Sequence, residues 1–122
     1  MDITTEAVRV GLDLAQMRAQ IASSNIANAN VPGAKLQRAD FADALTALRS
    51  ATEQPGPGAA AQLAAITPES LREEVQSSYG AANPTTLDDQ VAQLNIDSVT
   101  YRVLSEGLAR RFGLMQLAIS GK

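Results

Sequence analysis

The sequence of 122 residues contains no cysteine and no histidine. Without cysteine there is no disulfide, no thiolate nucleophile and no thiolate metal ligand. Without histidine the chain lacks the commonest metal ligand and the usual general base. No spacing of serine and lysine suggests an activated nucleophile, and no glycine-rich loop suggests a phosphate site. We therefore predict a protein that is not an enzyme and that has no catalytic residues, no cofactor and no metal.

A basic cluster and a long hydrophobic run are also missing. The charges of both signs are scattered along the chain and sum to −3, so nothing is present to meet a phosphate backbone and nucleic acid is disfavoured. No apolar run approaches the length of a membrane span, and residues 1–10 lack the apolar segment of a Sec signal peptide. We expect a protein that is not membrane-embedded and not a Sec substrate.

Aromatic residues are scarce, with two phenylalanines, two tyrosines and no tryptophan, and much of the apolar fraction is alanine. Alanine buries little area per residue, so a thick globular interior is hard to build. Alanine-rich surfaces instead suit close approach between helices. Composition by itself does not distinguish such closely packed helices from an ordinary small helical bundle that is rich in alanine.

Both ends of the chain have the periodicity of long amphipathic helices. Between about Ile3 and Ala29, steps of three and four residues join Val8, Leu12, Ala15, Ala19, Ala22, Ile26 and Ala29. A second stripe contains Val10, Leu14, Met17 and Ile21. Between about Thr86 and Ser120, the same steps join Leu87, Val91, Leu94, Ser98, Tyr101, Ser105, Leu108, Phe112, Met115 and Ile119. We predict a mainly α fold in which the two helices pack as a coiled-coil-like pair, with one stripe internal and the other between subunits.

The first helix is followed by a capping and turn segment. Asn28 and Asn30 are residues that tolerate the left-handed conformation of a helix C-cap. Val31-Pro32-Gly33-Ala34 fits a type II turn, with glycine at the position that needs a positive φ. A short second helix is predicted over residues 40–49, with Asp40 as its N-cap.

The middle of the chain is predicted to be less regular. Two Pro-Gly pairs at 55–58 indicate a flexible linker or exposed loop over residues 50–66. Thr67-Pro68 has the form of a helix start, so 71–77 is either a short helix or an extended segment. Residues 77–86 are predicted to be loop. The single domain thus divides into 1–49 (helix, turn and short helix), 50–85 (linker and loop) and 86–122 (C-terminal helix).

Residues 23–35 read Ser-Ser-Asn-Ile-Ala-Asn-Ala-Asn-Val-Pro-Gly-Ala-Lys. This run resembles the N-terminal signature of bacterial flagellar axial proteins, which are the rod, hook and hook-associated subunits. The matching positions are Ser24, Asn25, Ala27, Asn28, Pro32, Gly33 and Lys35. Val31 and Ala34 depart from the signature, where the family usually has threonine and an aromatic residue.

Within that group, the short length and two further stretches resemble the FlgB family of proximal-rod proteins. The stretch from Lys35 to Phe41 resembles its Lys-Ala-Arg-x-x-Asp-Phe run, and residues 94–121 resemble its C-terminal ending, although Tyr101-Arg102 stands in reverse order. The resemblance implies a set of signature and assembly residues: Ser24, Asn25, Ile26, Ala27, Asn28, Pro32, Gly33, Lys35, Phe41, Leu94, Tyr101, Leu104, Leu108, Phe112 and Ile119.

The resemblance implies a structural subunit of the flagellar basal-body proximal rod, the periplasm-spanning drive shaft of bacterial motility. Its partners would be other copies of itself, other rod and basal-body proteins, and the type III export apparatus that delivers it to the helical assembly. Two alternatives stay open: an inner-rod component of a virulence type III secretion system, and a small helical export adaptor or chaperone. For the asparagines of the signature, hydrogen bonding between subunits and local capping are both open.

Overall fold

A computed structural model describes residues 2–78 and 87–121. In chain order the elements are α1 (Ile3–Ala27), β1 (Leu36–Arg38), α2 (Ala42–Glu53), α3 (Pro57–Ala65), α4 (Pro68–Glu73), β2 (Gln76–Ser78) and α5 (Leu87–Ser120). The mainly helical fold predicted from periodicity is confirmed: two long terminal helices pack together, with short helices between them. Within the described ranges, none of the helices combines the length and hydrophobicity that a bilayer span requires.

The start of α1 follows ordinary capping chemistry. Asp2 is the N-cap, and its Oδ1 accepts a hydrogen bond of 2.8 Å from the backbone N–H of Thr5. Glu6 places a negative charge in the first turn, where the helix dipole favours it. One hydrogen-bond donor of the first turn is therefore satisfied inside the chain.

The end of α1 differs from the prediction. Asn28 is the C-cap with φ −99°, and Phe41 is the described non-glycine residue with positive φ, so neither Asn28 nor Asn30 adopts the left-handed conformation. The Asn28 amide instead donates 3.0 Å to the carbonyl of Ser24. The turn that follows is as predicted, since Gly33 has φ 76° and the Ala34 N–H donates 3.2 Å to the Val31 carbonyl.

The core lies between one face of α1 and the three short helices. α1 contributes its second apolar stripe, and the short helices cover that stripe from the other side. The members of this core are Val10, Leu14, Met17, Phe41, Ala44, Ala47, Leu63, Ile66 and Leu71. Three of the nine are small or flexible, so the core is thin for a chain of this length.

α5 runs antiparallel to α1 along the opposite face. Arg111 lies against Thr5, Leu104 lies against Gly11, and Asp97 lies near Arg18. A Cβ atom at Gly11 would be 3.1 Å from Leu104 Cδ1, so the absence of a side chain there permits the close approach. The first stripe of α1 is therefore partly covered within the chain, with Ala15 and Ala22 buried and Ala29 exposed. That one stripe lies between subunits stays a prediction.

The segment predicted as a linker at 50–66 contains part of α2 and the whole of α3. The expectation of irregular chain there is wrong because Pro57 stands in the first turn of α3, where proline is compatible with a helix. The helix start at Thr67-Pro68 is confirmed, with a capping box between Thr67 and Ser70. The division into three segments is otherwise a prediction that the structure does not test.

Two short strands, which join distant parts of the chain, complete the fold. β1 pairs antiparallel with β2, with Gln37 opposite Ser77. Both alternatives left open for 71–77 occur, because α4 ends at Glu73 and β2 begins at Gln76. Most of the predicted loop over 77–86, and the expected start of the C-terminal helix near residue 86, lie outside the described residues.

Arg9 fastens the short-helix layer to α1. Its Nη2 donates 2.9 Å to the carbonyl of Leu63 and 2.9 Å to the carbonyl of Ile66. Its Nε donates 3.2 Å to the Glu6 carboxylate, and its Nη1 donates 2.9 Å to the Asp13 carboxylate. One guanidinium thus gives a charged donor to two carbonyls at the C-terminal end of α3, where the Leu63 carbonyl also accepts 3.1 Å from the Ile66 N–H.

Candidate assembly surface

The buried asparagine of the signature serves the fold of its own chain. Asn25 is 3% exposed, and its amide meets the backbone of Gln37 at both ends. Nδ2 donates 2.9 Å to the Gln37 carbonyl, and Oδ1 accepts 2.8 Å from the Gln37 N–H. The side chain therefore occupies the free edge of β1 as a neighbouring strand would. This amide is used within the chain and is not available to a second subunit.

The rest of the signature lies at or near the surface. Ala27, Pro32, Gly33 and Lys35 are exposed, whereas Ser24, Ile26 and Asn28 are half-buried. Val31, at the start of the turn, exposes 51% of its surface. The structure thus splits the signature into a buried anchor at Asn25 and an exposed turn over 29–33.

Phe41 belongs to the core and not to the surface. Its side chain is completely buried, and its backbone is left-handed, with φ 52°. It is also the residue before α2, so the predicted N-cap Asp40 is wrong by one position. Asp40 instead accepts a long hydrogen bond of 3.4 Å from the Ala42 N–H. Left-handed backbone is costly for a bulky residue, and burial of the ring in the core holds it there.

The inner face of α5 carries the predicted leucines. Leu94, Leu104 and Leu108 are half-buried on the side that packs against α1, and Asp97 is buried among them. Tyr101 lies at the edge of this face and is 43% exposed. The predicted seam has Leu94, Leu104 and Leu108 on this inner face. Its other apolar positions, such as Val91 and Phe112, are exposed.

A second apolar stripe, which the sequence analysis missed, runs along the back of α5. Ile96, Val99 and Val103 are separated by three and four residues, and each is about 60% exposed. Leu114 and Leu117 lie on the same face nearer the C-terminus, beyond the charged residues Glu106 and Arg110, and are 67% and 51% exposed. We call these five residues the outer stripe. A search for more than one helical period in 86–120 would have found it.

The C-terminal end of α5 extends past α1. Arg111 contacts Thr5 and pairs with Asp2, the N-cap of α1. Every residue from 112 to 121 is exposed. This segment, which we call the tip, is about 15 Å long at 1.5 Å per residue. Its exposed apolar residues are Phe112, Leu114, Met115, Leu117 and Ile119.

Electrostatics support the packing of α5 at one end and oppose it near the other. The backbone N–H of Thr5 and the Arg111 side chain lower the pKa of Asp2 to about 2. Burial raises the pKa of Asp97, against smaller opposing effects of Gln93 and Arg18. Across the described residues there is no group of three or more acidic side chains arranged to hold a metal ion.

Ten large apolar residues of α5 are open to solvent, eight of them in the outer stripe or the tip: Val91, Ile96, Val99, Tyr101, Val103, Phe112, Leu114, Met115, Leu117 and Ile119. Exposed apolar patches on soluble proteins often mark sites of interaction with other molecules. Chemically the surface offers hydrophobic burial against another helix and no reacting group. It is therefore a candidate surface for assembly.

Comparison with known proteins gives one match. Residues 9–35 match the family described as Flagella basal body rod protein. The matched segment covers most of α1 and continues through the exposed turn to Lys35. No curated protein and no solved structure matches the chain. The chain therefore carries the N-terminal motif of the flagellar rod family.

Proposed function

We propose that this chain is a structural subunit of the bacterial flagellar basal-body rod. The match over residues 9–35 supports the assignment, because the rod family consists of structural proteins and not of enzymes. The observation that carries the assembly role is the exposed apolar surface of α5. A helix with one face on α1 and another open to solvent is suited to pack against further chains.

Within the rod, we assign the chain to the FlgB-like class of the proximal rod. The resemblance of 35–41 and 94–121 supports this choice, as does the short stretch between α1 and α5, whose described residues contain no large inserted domain. Delivery through the flagellar export apparatus is part of the same proposal. The flagellar motif favours this reading over the inner rod of a virulence secretion system.

The placement of the two apolar surfaces favours an open filament. The tip projects beyond α1, whereas Ile96, Val99 and Val103 lie on the back of the paired region. When the tip of one copy meets Ile96, Val99 and Val103 of the next, two different patches are joined, and the contact is heterologous. Heterologous contacts related by a screw operation build helical filaments instead of closed dimers.

The first test is an immunoblot for this chain in salt- and detergent-washed hook–basal bodies of its native host. We expect the chain in the washed particle, and we expect its deletion to remove the rod. To test the proximal position, the same blot is made on particles from a strain that lacks the distal rod. Expression without presence in the washed particle contradicts the rod assignment.

The second test asks whether the outer stripe is the assembly surface. Val103→Asp and Leu114→Asp place a charge on exposed positions, so the isolated chain should unfold at an unchanged temperature. Each variant should nevertheless be missing from washed basal bodies and should abolish swimming. Asn95→Asp is the matched control, because it adds the same charge to an exposed position of α5 beside the stripe. Normal swimming of both stripe variants would rule this surface out.

A further inference from the structure

Asp97 is a carboxylate buried in the seam between α1 and α5. Only 3% of its surface is exposed. Its Oδ1 accepts a hydrogen bond of 2.9 Å from Gln93 on the same helix. Its Oδ2 is buried and has no hydrogen-bond partner within residues 2–78 and 87–121. A buried oxygen without a hydrogen-bond partner lowers the stability of the fold, whereas an apolar side chain at the same place would not.

No group on α1 fully compensates Asp97. The charged residue that faces it from α1 is Arg18, whose charge favours ionisation. Burial has the larger effect and raises the pKa of Asp97 above its ordinary value. The ionised form of Asp97 in the seam therefore lowers the stability of the folded chain.

The rest of the seam gives little to offset this cost. On α1 the surface beneath α5 is formed by small residues, including Gly11, Ala15 and Ala22. Small residues permit close packing but bury little apolar area. In coiled-coil seams a single polar residue lowers stability and controls which pairing forms.

We propose that Asp97 keeps the α1–α5 pair reversible, so that α5 can separate from α1 and repack against neighbouring copies of the chain. The exchange with neighbours rests on the proposed rod function, whereas the weakening of the pair is a property of the isolated chain. Protonation of Asp97 removes the buried charge and closes the pair. Ionisation loosens it.

The first experiment measures thermal unfolding of the isolated chain. Asp97→Leu should raise Tm by about 5 °C, because it removes an unsatisfied buried group. Asp97→Asn, which keeps the shape without the charge, should give a smaller rise. Glu106→Gln is the matched control, because it removes an exposed carboxylate from the same helix, and it should leave Tm unchanged. A Tm at or below the wild-type value in both Asp97 variants overturns the proposal.

The second experiment follows amide hydrogen exchange in α5, corrected for the intrinsic effect of pH on exchange. In the wild-type chain, protection should be higher at pH 5 than at pH 7, by up to about tenfold for each unit by which the pKa is raised. In Asp97→Asn, the part of this change that arises from Asp97 should disappear. Identical pH profiles in the two proteins overturn the proposal even if Asp97→Leu fails to fold.

The third experiment tests the exchange in cells. Asp97→Leu should accumulate as a folded protein and yet reach washed basal bodies in reduced amount, with weaker swimming. Full incorporation of this more stable variant overturns the role in assembly. If the wild-type chain itself is missing from basal bodies, the rod assignment fails. The effects on Tm and exchange then decide the reversibility of the pair on their own.

Discussion

The Asn25 side chain joins α1 to β1 through both ends of one amide. Its donor and its acceptor each meet a backbone group of Gln37, at 2.9 and 2.8 Å. Loss of either contact leaves a peptide group of β1 without a partner at a half-buried position. The first asparagine of the signature is thus explained by folding, and the exposed turn beyond it is left for contact with other molecules.

Asn25→Asp keeps the size of the side chain but removes the donor and sets a charged oxygen against the Gln37 carbonyl. We expect a loss of about 2–3 kcal/mol in the free energy of unfolding, measured with urea near neutral pH. Asn30→Asp adds the same charge to an exposed position and should change stability by less than about 0.5 kcal/mol. Equal effects of the two substitutions would contradict the role given to Asn25.

Gly33 is required for its backbone conformation alone. It has φ 76°, and an added Cβ would meet nothing within 4 Å. Gly33→Ala should therefore cost about 1 kcal/mol, and Gly33→Asn should cost less because asparagine tolerates left-handed backbone. Gly58→Ala is the control, since that glycine lies in α3 with open space around it and should be neutral or stabilising. Urea titration of the three variants gives the comparison.

At the scale of elements, the short helices depend on α1 for more than apolar contact. α3 has nine residues and would be marginal alone in water. Arg9 reaches the carbonyls at its C-terminal end, while Leu63 packs in the core. The layer of α2, α3 and α4 is therefore held to α1 by one polar clamp together with a thin core.

Arg9→Met keeps an unbranched side chain but removes the donors. We expect faster hydrogen exchange throughout α3 and a loss of about 2 kcal/mol in stability, because carbonyls at the helix end lose a charged donor. Arg49→Met, on the exposed side of α2, should leave exchange in α3 unchanged. If α3 keeps its protection from hydrogen exchange in Arg9→Met, the Arg9 hydrogen bonds do not stabilise α3.

At the scale of the whole molecule, the isolated chain should be most stable in mild acid. Burial raises the pKa of Asp13 and Asp97, and burial together with Asp43 and Asp40 raises that of Glu74. When the pH is above the ordinary pKa values of these carboxyl groups, they bind more protons in the folded chain than in the unfolded chain. Stability therefore falls as pH rises from about 4 toward neutrality.

Asp2 acts in the opposite direction at lower pH. Its pKa is about 2 in the folded chain and 3.8 as an ordinary value, so its contribution is present above 3.8 and is lost as pH falls toward 2. Urea unfolding from pH 2 to pH 8 should show a maximum near pH 4. Greater stability at pH 7 than at pH 4.5 would contradict these pKa directions.

The sequence by itself determined the elements that depend on local chemistry. Steps of three and four apolar residues fix the long helices, because only a helix brings such positions onto one face. Pro32-Gly33 fixes the turn, because proline and glycine set φ directly. The motif at 23–35 indicated the resemblance to the flagellar rod family, since residue type and spacing are all that the motif consists of.

Only the tertiary structure decided which of the apolar stripes are covered. α5 has two stripes of similar character, and the docking of Leu104 against Gly11 selects the inner one. The pairing of β1 with β2 and the partner of Asn25 depend on contacts between distant segments, which no local pattern encodes. From the sequence, Pro57 predicts an interruption of regular secondary structure. In the structure it begins α3, whose Leu63 packs in the core. The burial of Asp97 is likewise a consequence of packing, because its cost exists only after α1 covers it.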